Sequence, residues 1–352
     1  MTSVKSVTAL PVVDLTADTG VLREAAHEVG FFYLTGHGVP QALVARVLAA
    51  ARALFSLPQA DKDAVAMVRS PHFRGYTRLG GELTLGEVDW REQIDMQIDI
   101  GPERQPVGGP GRPEYLWLQG PNQWPAALPE LPAVIAEWDA ALSVVARTLL
   151  RHWAASLGSP PEVFDAAFAE TPATLIKVIR YPARAASPQG VGAHRDSGVL
   201  TLLLAEPGSR GLQVRRRDRW VDVAPLEGAF IVNIGELLEV ATGGYLRAIE
   251  HRVNLDGQVA ERISVPFFFN PRLDAQLPVL SLPPELLALA ARTDKSWTPT
   301  DNPSDPIFSV YGRNAWKSRL RAHPDVADAH GYSNGRVRQA NPSSDQGANE
   351  VQ

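Results

Sequence analysis

The sequence contains no cysteine, which excludes disulfide bonds and thiolate ligands to a metal. Any metal site in this chain must therefore use histidine nitrogens and carboxylate oxygens. The absence of cysteine also favours a reducing compartment, so we expect a cytoplasmic protein. The first fifteen residues carry one lysine and no long apolar run, which is not typical of a secretory signal peptide.

Long hydrophobic runs and a strong net charge are also missing. No window approaches the roughly 20 consecutive apolar residues that a membrane helix needs. The 34 Lys and Arg against 39 Asp and Glu leave a formal net charge of −5 in 352 residues. A chain with this balance has no general attraction to nucleic acid or to an anionic membrane. We therefore expect a small-molecule partner, without nucleic acid or membrane, and the oligomeric state is not predicted.

The apolar pattern predicts an N-terminal α/β region over residues 1–125. Short apolar runs at 10–15 and 30–34 predict strands, and helical spacing between them predicts a helix over 17–29. A second helix is predicted over 40–57, where Val, Leu and Ala recur along one face.

The second predicted region, residues 126–325, has a different pattern. It opens with a long helix over 128–157 and then changes to the period of strands. Many short strands at this spacing are typical of a double-sheet barrel or jelly roll. The predicted strands are 174–181, 199–204, 212–214, 219–223, 228–234, 246–254 and 262–269. A helix is predicted over 314–321, a loop over 101–113, and a disordered tail over 331–352.

Two histidines and an aspartate form a candidate metal site. Alternate residues of an extended chain point the same way, so His194 and Asp196 can share one side. His251 lies on another predicted strand, which a jelly roll would place opposite. Two imidazoles and one carboxylate occupy one face of an octahedral iron(II) and leave three positions open. His-x-Asp alone is a weak signal, since a strand histidine is more often a hydrogen-bonded core or surface residue; the third ligand strengthens it.

Arg262 and Ser264 form a second candidate site, eleven residues after His251. They stand at i and i+2 of a predicted strand, so their side chains face one way. A guanidinium and a hydroxyl together can hold a carboxylate through charge-assisted hydrogen bonds. An arginine with its head in solvent is the simpler explanation for either residue alone, but the apolar VPFFF segment around Ser264 favours an inward direction.

Several segments together carry a family resemblance. They are GFFYLTGHGV at 30–39, RYP at 180–182, GAHRDSG at 192–198, GLQV at 211–214 and EHRVN at 250–254. This combination resembles the isopenicillin N synthase-like branch of the iron(II)- and 2-oxoglutarate-dependent oxygenases, over roughly residues 8–325. Two positions depart from the pattern, because Arg195 replaces a small polar residue and Glu236 stands where aspartate is usual.

The resemblance implies a mainly β fold with α elements. It is a double-stranded β-helix (jelly-roll) core with an N-terminal α/β extension and flanking helices. It also implies His194, Asp196 and His251 as iron ligands. Arg262 and Ser264 would then hold the distal carboxylate of 2-oxoglutarate, with Tyr181 either a further contact or an aromatic that lines the barrel.

Three further residues are candidate substrate contacts under the same resemblance. Arg74 lies in a glycine-bearing connection, for which a surface loop is the simpler interpretation. Trp316 and Arg319 lie in the C-terminal segment, which in this branch helps to close the pocket. For Trp316, packing in the core is the simpler interpretation.

The implied activity is oxidation of a small metabolite by O₂ with conversion of 2-oxoglutarate to succinate and CO₂. Hydroxylation is the default outcome, desaturation or ring formation are variants, and ascorbate is a candidate reductant. Two alternatives stay open. The first is an iron oxidase of the isopenicillin N synthase type, which keeps Arg-x-Ser but uses it for the substrate's own carboxylate. The second is a metal-free jelly-roll binding protein with structural histidines.

Overall fold

The computed structural model describes residues 10–98, 111–292 and 305–332. The predicted loop at 101–113, apart from its last three residues, and residues 333–352 of the predicted tail lie outside this range. Tyr332, also assigned to the tail, packs against the rest of the fold. Its hydroxyl donates a hydrogen bond to the Pro71 carbonyl at 2.7 Å, and its ring stacks on Phe73. The predicted tail therefore begins too early.

Most strands belong to two sheets. The larger sheet contains, in spatial order, β1 (Val12–Asp14), β2 (Phe31–Thr35), β12 (Phe230–Ile234), β9 (Leu200–Ala205), β14 (Arg262–Phe269), β7 (Leu175–Tyr181), β6 (Glu92–Gln97) and β3 (Gly75–Thr77). The smaller sheet contains β11 (Arg219–Asp222), β10 (Leu212–Arg216), β13 (His251–Asn254) and β8 (Gln189–His194). Strands β4 (Glu82–Thr84) and β5 (Glu87–Asp89) form a separate hairpin. The predicted fold class is confirmed.

The helices are α1 (Thr19–Glu28), α2 (Gln41–Ser56), α3 (Gln59–Ala64), α4 (Leu131–Ser156), α5 (Glu236–Ala241), α6 (Pro284–Arg292), α7 (Tyr311–Ala322) and α8 (Pro324–Ala329). Helices α1 and α2 pack against α4, and α4 packs on β9 and β14 of the larger sheet. None of the helices described here is long and apolar enough to cross a membrane. The short elements α3, α5, α8 and β3–β5 were not predicted, because six residues or fewer show no clear period.

Helix α4 shows why a long helix could be predicted from the spacing of its apolar residues. Trp138, Leu142, Leu149 and Trp153 recur at helical spacing, and all four are fully buried. The helix ends at Ser156, two residues before Gly158, whose φ of 81° suits glycine; the residue after Gly158 donates its N–H back to the Ala154 carbonyl. The predicted start at 128 was three residues early.

Alternation along β14 separates the core from an internal cavity. Its residues Ile263, Val265, Phe267 and Phe269 join the large apolar core, whereas Arg262, Ser264, Pro266 and Phe268 line the cavity. Antiparallel pairing sets Arg262 opposite Tyr181 and Phe268 opposite Leu175. Two adjacent strands therefore form one wall of the cavity, with polar residues at one end and apolar residues at the other.

The predicted strand over 246–254 is wrong in its first half. Regular pairing begins only at His251, and the preceding residues run past the end of α5. Glu239 of α5 accepts a hydrogen bond from the Ala248 backbone at 2.8 Å. This contact ties the approach to His251 to a buried helix.

Glu239 leads to a prediction about stability and pH. Burial raises the pKa of its carboxyl from 4.5 to about 7. The unfolded chain loses this proton first, so the free energy of unfolding should fall as pH rises from about 4.5 to 7, and then level off. Glu239→Gln should remove about 3 kcal/mol of this fall, since one pKa unit corresponds to about 1.4 kcal/mol.

Urea unfolding of the metal-free protein at pH 5 and pH 8 measures this difference. Exposed Glu227 provides the matched control, and Glu227→Gln should keep the wild-type difference between the two pH values. The same difference in Glu239→Gln as in the wild type would contradict the prediction.

Candidate metal centre

A cavity of about 320 Å³ lies between the two sheets. Its walls come from β7, β9 and β14 of the larger sheet and from β8 and β13 of the smaller one, and α7 covers one side. A small apolar cluster that includes Ile179, Val191 and Val253 joins the sheets at one edge. The cavity therefore has the position that a jelly-roll ligand site requires.

His194, Asp196 and His251 meet in this cavity. His194 ends β8 and His251 begins β13, and these neighbouring antiparallel strands set the two histidines directly opposite in register. Asp196 lies two residues beyond β8, with Oδ1 3.5 Å from His194 Nε2 and 3.7 Å from His251 Nε2. The three candidate ligand atoms all lie within 4.8 Å of one another. His251 thus lies on another strand, as expected, and that strand is the direct antiparallel partner of β8.

Backbone contacts determine which nitrogen of each histidine faces the centre. Nδ1 of His194 lies 2.9 Å from the Gly192 carbonyl, and Nδ1 of His251 lies 3.1 Å from the Ile249 carbonyl. A carbonyl only accepts hydrogen bonds, so each Nδ1 carries a proton and each Nε2 is the nitrogen left to bind a metal. Both histidines are thus oriented as metal ligands commonly are.

The carboxylate of Asp196 is oriented by two hydrogen-bond donors. Its Oδ2 accepts a hydrogen bond from the Thr201 hydroxyl at 2.5 Å and another from Asn233 Nδ2 at 2.8 Å. The other oxygen, Oδ1, is left to face the two histidines. Thr201 and Asn233 were not predicted for this role; each is the one polar residue in an apolar strand, which is the signal that points to it.

The protonation states suit a divalent cation. Burial, together with the nearby His194, lowers the pKa of His251 to about 4. Burial opposes ionisation of Asp196, but the His194 hydrogen bond and the charge of His251 outweigh it and hold its pKa below the usual range. Burial likewise opposes charging of His194, yet Asp196 raises its pKa, so this proton is the one that a metal would displace. The donor set fits iron(II).

Glycines allow the turn that carries Asp196 to pack closely. The Asp196 carbonyl accepts a hydrogen bond from the Glu236 N–H at 2.8 Å, at the start of α5. A Cβ atom on Gly198 would lie 2.1 Å from Asn270 Oδ1, and one on Gly235 would lie 2.2 Å from the Gly198 carbonyl oxygen. Larger residues at either position would push the turn, and the carboxylate, away from the histidines.

Arg262, Ser264 and Tyr181 form a second polar group in the cavity. Arg262 is 2% exposed, its Nη1 donates a hydrogen bond to Ser264 Oγ at 3.1 Å, and its guanidinium lies 4.6 Å from the centre of the Tyr181 ring. In the part of the chain that the structure covers, no carboxylate forms an ion pair with Arg262. Burying a cation without a counterion costs on the order of several kcal/mol of folding free energy. This end of the cavity therefore suits an anionic ligand.

The three candidate substrate contacts have different positions. Arg319 lines the cavity. Arg74 is not among the lining residues: it is buried behind the wall and donates hydrogen bonds to Gln97 and to the Leu118 carbonyl, which do line it. Trp316 packs between Phe73 and Tyr332, in the core. Direct contact with a substrate in the cavity is therefore open to Arg319 and not to the other two.

Comparison with known proteins decides the family. The family model described as "non-haem dioxygenase in morphine synthesis N-terminal" matches residues 10–127, and that of the 2OG-Fe(II) oxygenase superfamily matches residues 173–271. The 2-oxoglutarate-dependent dioxygenase frbJ of Dothideomycetidae sp. is 31% identical, over 91% of each chain. The chain belongs to the 2OG-Fe(II) oxygenase superfamily. It is thus a non-haem iron(II) dioxygenase dependent on 2-oxoglutarate, and the predicted family, enzyme class and use of iron and 2-oxoglutarate are confirmed.

Other members of this superfamily extend the comparison. A homoarginine-6-hydroxylase of Glycine max is 32% identical, over 74% of this chain and 81% of its own length. The structure of JOX2 in complex with 2OG, Fe and JA matches with a TM-score of 0.63 and 28% identity, over 78% of each chain. The rice dioxygenase for auxin oxidation, at 24% identity and a TM-score of 0.61 over 88% of this chain and 95% of its own, shows the shared fold alone. These matches favour the 2-oxoglutarate-dependent enzyme over both alternatives.

The contact from Thr201 to Asp196 predicts an effect on metal affinity. Thr201→Val keeps the shape of the side chain and removes the hydroxyl that holds Oδ2. Loss of such a partner typically weakens metal binding about 10- to 100-fold, and we expect this range for iron(II). Anaerobic iron(II) titration measures it. Thr148→Val on α4 is the control, and wild-type affinity in Thr201→Val would refute the orienting role.

Proposed function

We propose that His194, Asp196 and His251 hold the iron(II) of this dioxygenase. We also propose that Arg262 and Ser264 hold the distal carboxylate of 2-oxoglutarate, beside the ring of Tyr181. The observation that carries this proposal is the orientation of the two histidines, whose Nδ1 protons point to backbone carbonyls and leave both Nε2 atoms facing Asp196. The buried guanidinium of Arg262 supports the second part, because no carboxylate of the described chain neutralises it.

Each residue has a defined task in this proposal. Bound iron(II) and 2-oxoglutarate supply the activation of O₂ that oxidises a substrate C–H bond and releases succinate and CO₂. The two histidines and Asp196 bind the metal, and hydrogen bonds from Thr201 and Asn233 fix the orientation of the Asp196 carboxylate. Arg262 and Ser264 position the co-substrate. The apolar walls of the cavity, such as Val191 and Leu203, limit the access of water.

The substrate class proposed here is a small-molecule metabolite, with hydroxylation as the default reaction. The cavity of about 320 Å³ supports this size range. Several relatives are named as homoarginine-6-hydroxylases, which makes amino acids reasonable first compounds to test. We propose further that residues 1–125 act as the N-terminal dioxygenase region packed on an oxygenase core over 126–325, and that the enzyme works in the cytoplasm.

Anaerobic titration tests the proposed cofactor sites directly. Iron(II) is added to the metal-free protein, followed by 2-oxoglutarate, and the visible charge-transfer band of the ternary complex is recorded. We expect the band in the wild-type protein, and succinate release when oxygen is admitted. Absence of both would favour the oxidase that does not use 2-oxoglutarate at this site.

A further inference from the structure

Helix α7 places three long cationic side chains along the cavity, those of Lys317, Arg319 and Arg321. Five of the seven lining residues of this helix share one helical face: Tyr311, Ala315, Ser318, Arg319 and Ala322. Three of the five are small and leave open space beneath the helix. The Ser318 hydroxyl lies 3.3 Å from that of Ser197, next to Asp196, so this face looks towards the metal centre. Arg319 is therefore the cationic residue of α7 on the face that looks towards the metal centre.

One terminal nitrogen of the Arg319 guanidinium is paired, and the other lacks a hydrogen-bond partner among the described residues. The residue is 7% exposed, and its Nη1 forms an ion pair with Asp95 Oδ2 at 2.5 Å. Its Nη2 is buried and has no hydrogen-bond partner among the described residues. A buried donor without an acceptor is costly, and a ligand oxygen in the cavity would satisfy it.

The charges around Arg319 nearly cancel. Arg91 and Lys177 pair with Glu82 at 3.0 and 2.7 Å, and Arg91 also lies 3.2 Å from Asp89. With Arg319 and Asp95, this network contains three cations and three carboxylates. Burial lowers the pKa of the adjoining His323 to about 4, so His323 adds no charge at pH 7. The network therefore orients Arg319, and its carboxylates do not outnumber its cations.

A surplus of positive charge appears at the cavity rim. Lys317 Nζ and Arg321 Nη1 lie 2.5 and 2.7 Å from the same oxygen of Asp305. Two cations thus share one carboxylate, and all three residues line the cavity. Lys317 and Arg321 thus add positive charge at the rim, which favours an anionic ligand over a cationic one.

This anion site is separate from the one at Arg262. The pairing of β7 with β14 places Lys177 four residues along the strand from Tyr181. Four residues of an extended strand span about 13 Å, so Lys177 and Tyr181 mark two different ends of this wall. Ile179 lies between them on the cavity side, and Leu175, Pro266 and Phe268 lie level with Lys177 or beyond it, so the body of a ligand here meets an apolar surface.

We propose that the substrate of this enzyme is a small organic carboxylate whose carboxylate group accepts a hydrogen bond from Arg319 Nη2, with its apolar body against β7 and β14. This inference rests on the proposed metal centre, because it defines where the reacting carbon must lie. Lys317 and Arg321 supply the remaining positive charge at the rim. The substrate and 2-oxoglutarate are then held by two different arginines, Arg319 and Arg262.

A panel of matched compounds tests this specificity. Small carboxylic acids, including amino acids, are each paired with their primary amide, and succinate formation and product mass are measured with iron(II), 2-oxoglutarate and O₂. We expect acids to give kcat/KM values about 10- to 100-fold above those of the amides, the range for one charge-assisted hydrogen bond. Arg319→Lys keeps the ion pair with Asp95 but loses the second nitrogen, and should lower this acid-to-amide ratio. Arg319→Gln should lower it further.

The ratio separates recognition from a structural role. A variant that only folds less well loses activity on acids and amides alike, so its ratio stays the same. Arg313→Gln is the matched control, because Arg313 is exposed on the same helix, and it should keep the wild-type ratio. Wild-type ratios in both Arg319 variants, or a preference for neutral or cationic compounds, would overturn the proposal. If the wild type also fails to bind iron(II) in the anaerobic titration, the metal-centre proposal fails as well; if it binds iron(II), only the substrate proposal is lost.

Discussion

His251→Ala is expected to lower iron(II) affinity and succinate formation by more than about 10²-fold. This exceeds the loss caused by removing a partner outside the ligand set, because His251 supplies one of only three protein ligands. The remaining pair, His194 and Asp196, would hold the metal from one strand end alone. The side chain of His251 is 12% exposed, so a compensating water would have to enter a largely closed site.

Iron content after anaerobic reconstitution and succinate formation measure this effect. His330→Ala is the control, since His330 contacts the Val68 carbonyl away from the cavity. The His251→Ala substitution should not unfold the protein, because the ring contacts of His251 are with Phe31 and His194. Circular dichroism should therefore match the wild type. Wild-type iron content in His251→Ala would remove this residue from the metal centre.

Arg262→Gln is expected to raise the Kd for 2-oxoglutarate by about 10²-fold or more. Truncating one partner of a buried, hydrogen-bonded charge pair commonly costs about 2–5 kcal/mol. The free energy of unfolding of the protein without ligand should increase or stay unchanged. The wild-type protein buries this guanidinium without a carboxylate partner among the described residues, and a neutral side chain removes that cost.

The prediction is specific because 2-oxoglutarate affinity should fall while the stability of the unliganded protein does not. Anaerobic 2-oxoglutarate titration gives the affinity, and urea unfolding of the metal-free protein gives the stability. Arg252→Gln is the control: Arg252 lies on β13 but stacks on Trp220, outside the cavity, so 2-oxoglutarate affinity should not change. Equal losses of affinity and stability in Arg262→Gln would show a structural arginine instead of a ligand anchor.

The elements that could be predicted from the sequence are those with a long or strict local pattern. Helix α4 and strand β14 were predicted to within three residues, because twenty-six helical residues and an eight-residue apolar strand leave clear periods. Helix α5 and the late start of β13 were missed. Six residues between two buried strands show no period of their own, and the hydrogen bond from Ala248 to Glu239 that shapes this segment is a tertiary contact.

By itself, the sequence determined which side chains are available to hold a metal and an anion. Without cysteine, His194, Asp196, His251 and Arg262 stand out by type and by spacing along extended segments, and both properties are local. Only the tertiary structure decided that β13 lies beside β8, that Thr201 and Asn233 hold Asp196, that Arg74 lies behind the wall and that Arg319 lines the cavity. These contacts join residues far apart in the chain, and they depend on strand order and helix packing, which a local period does not specify.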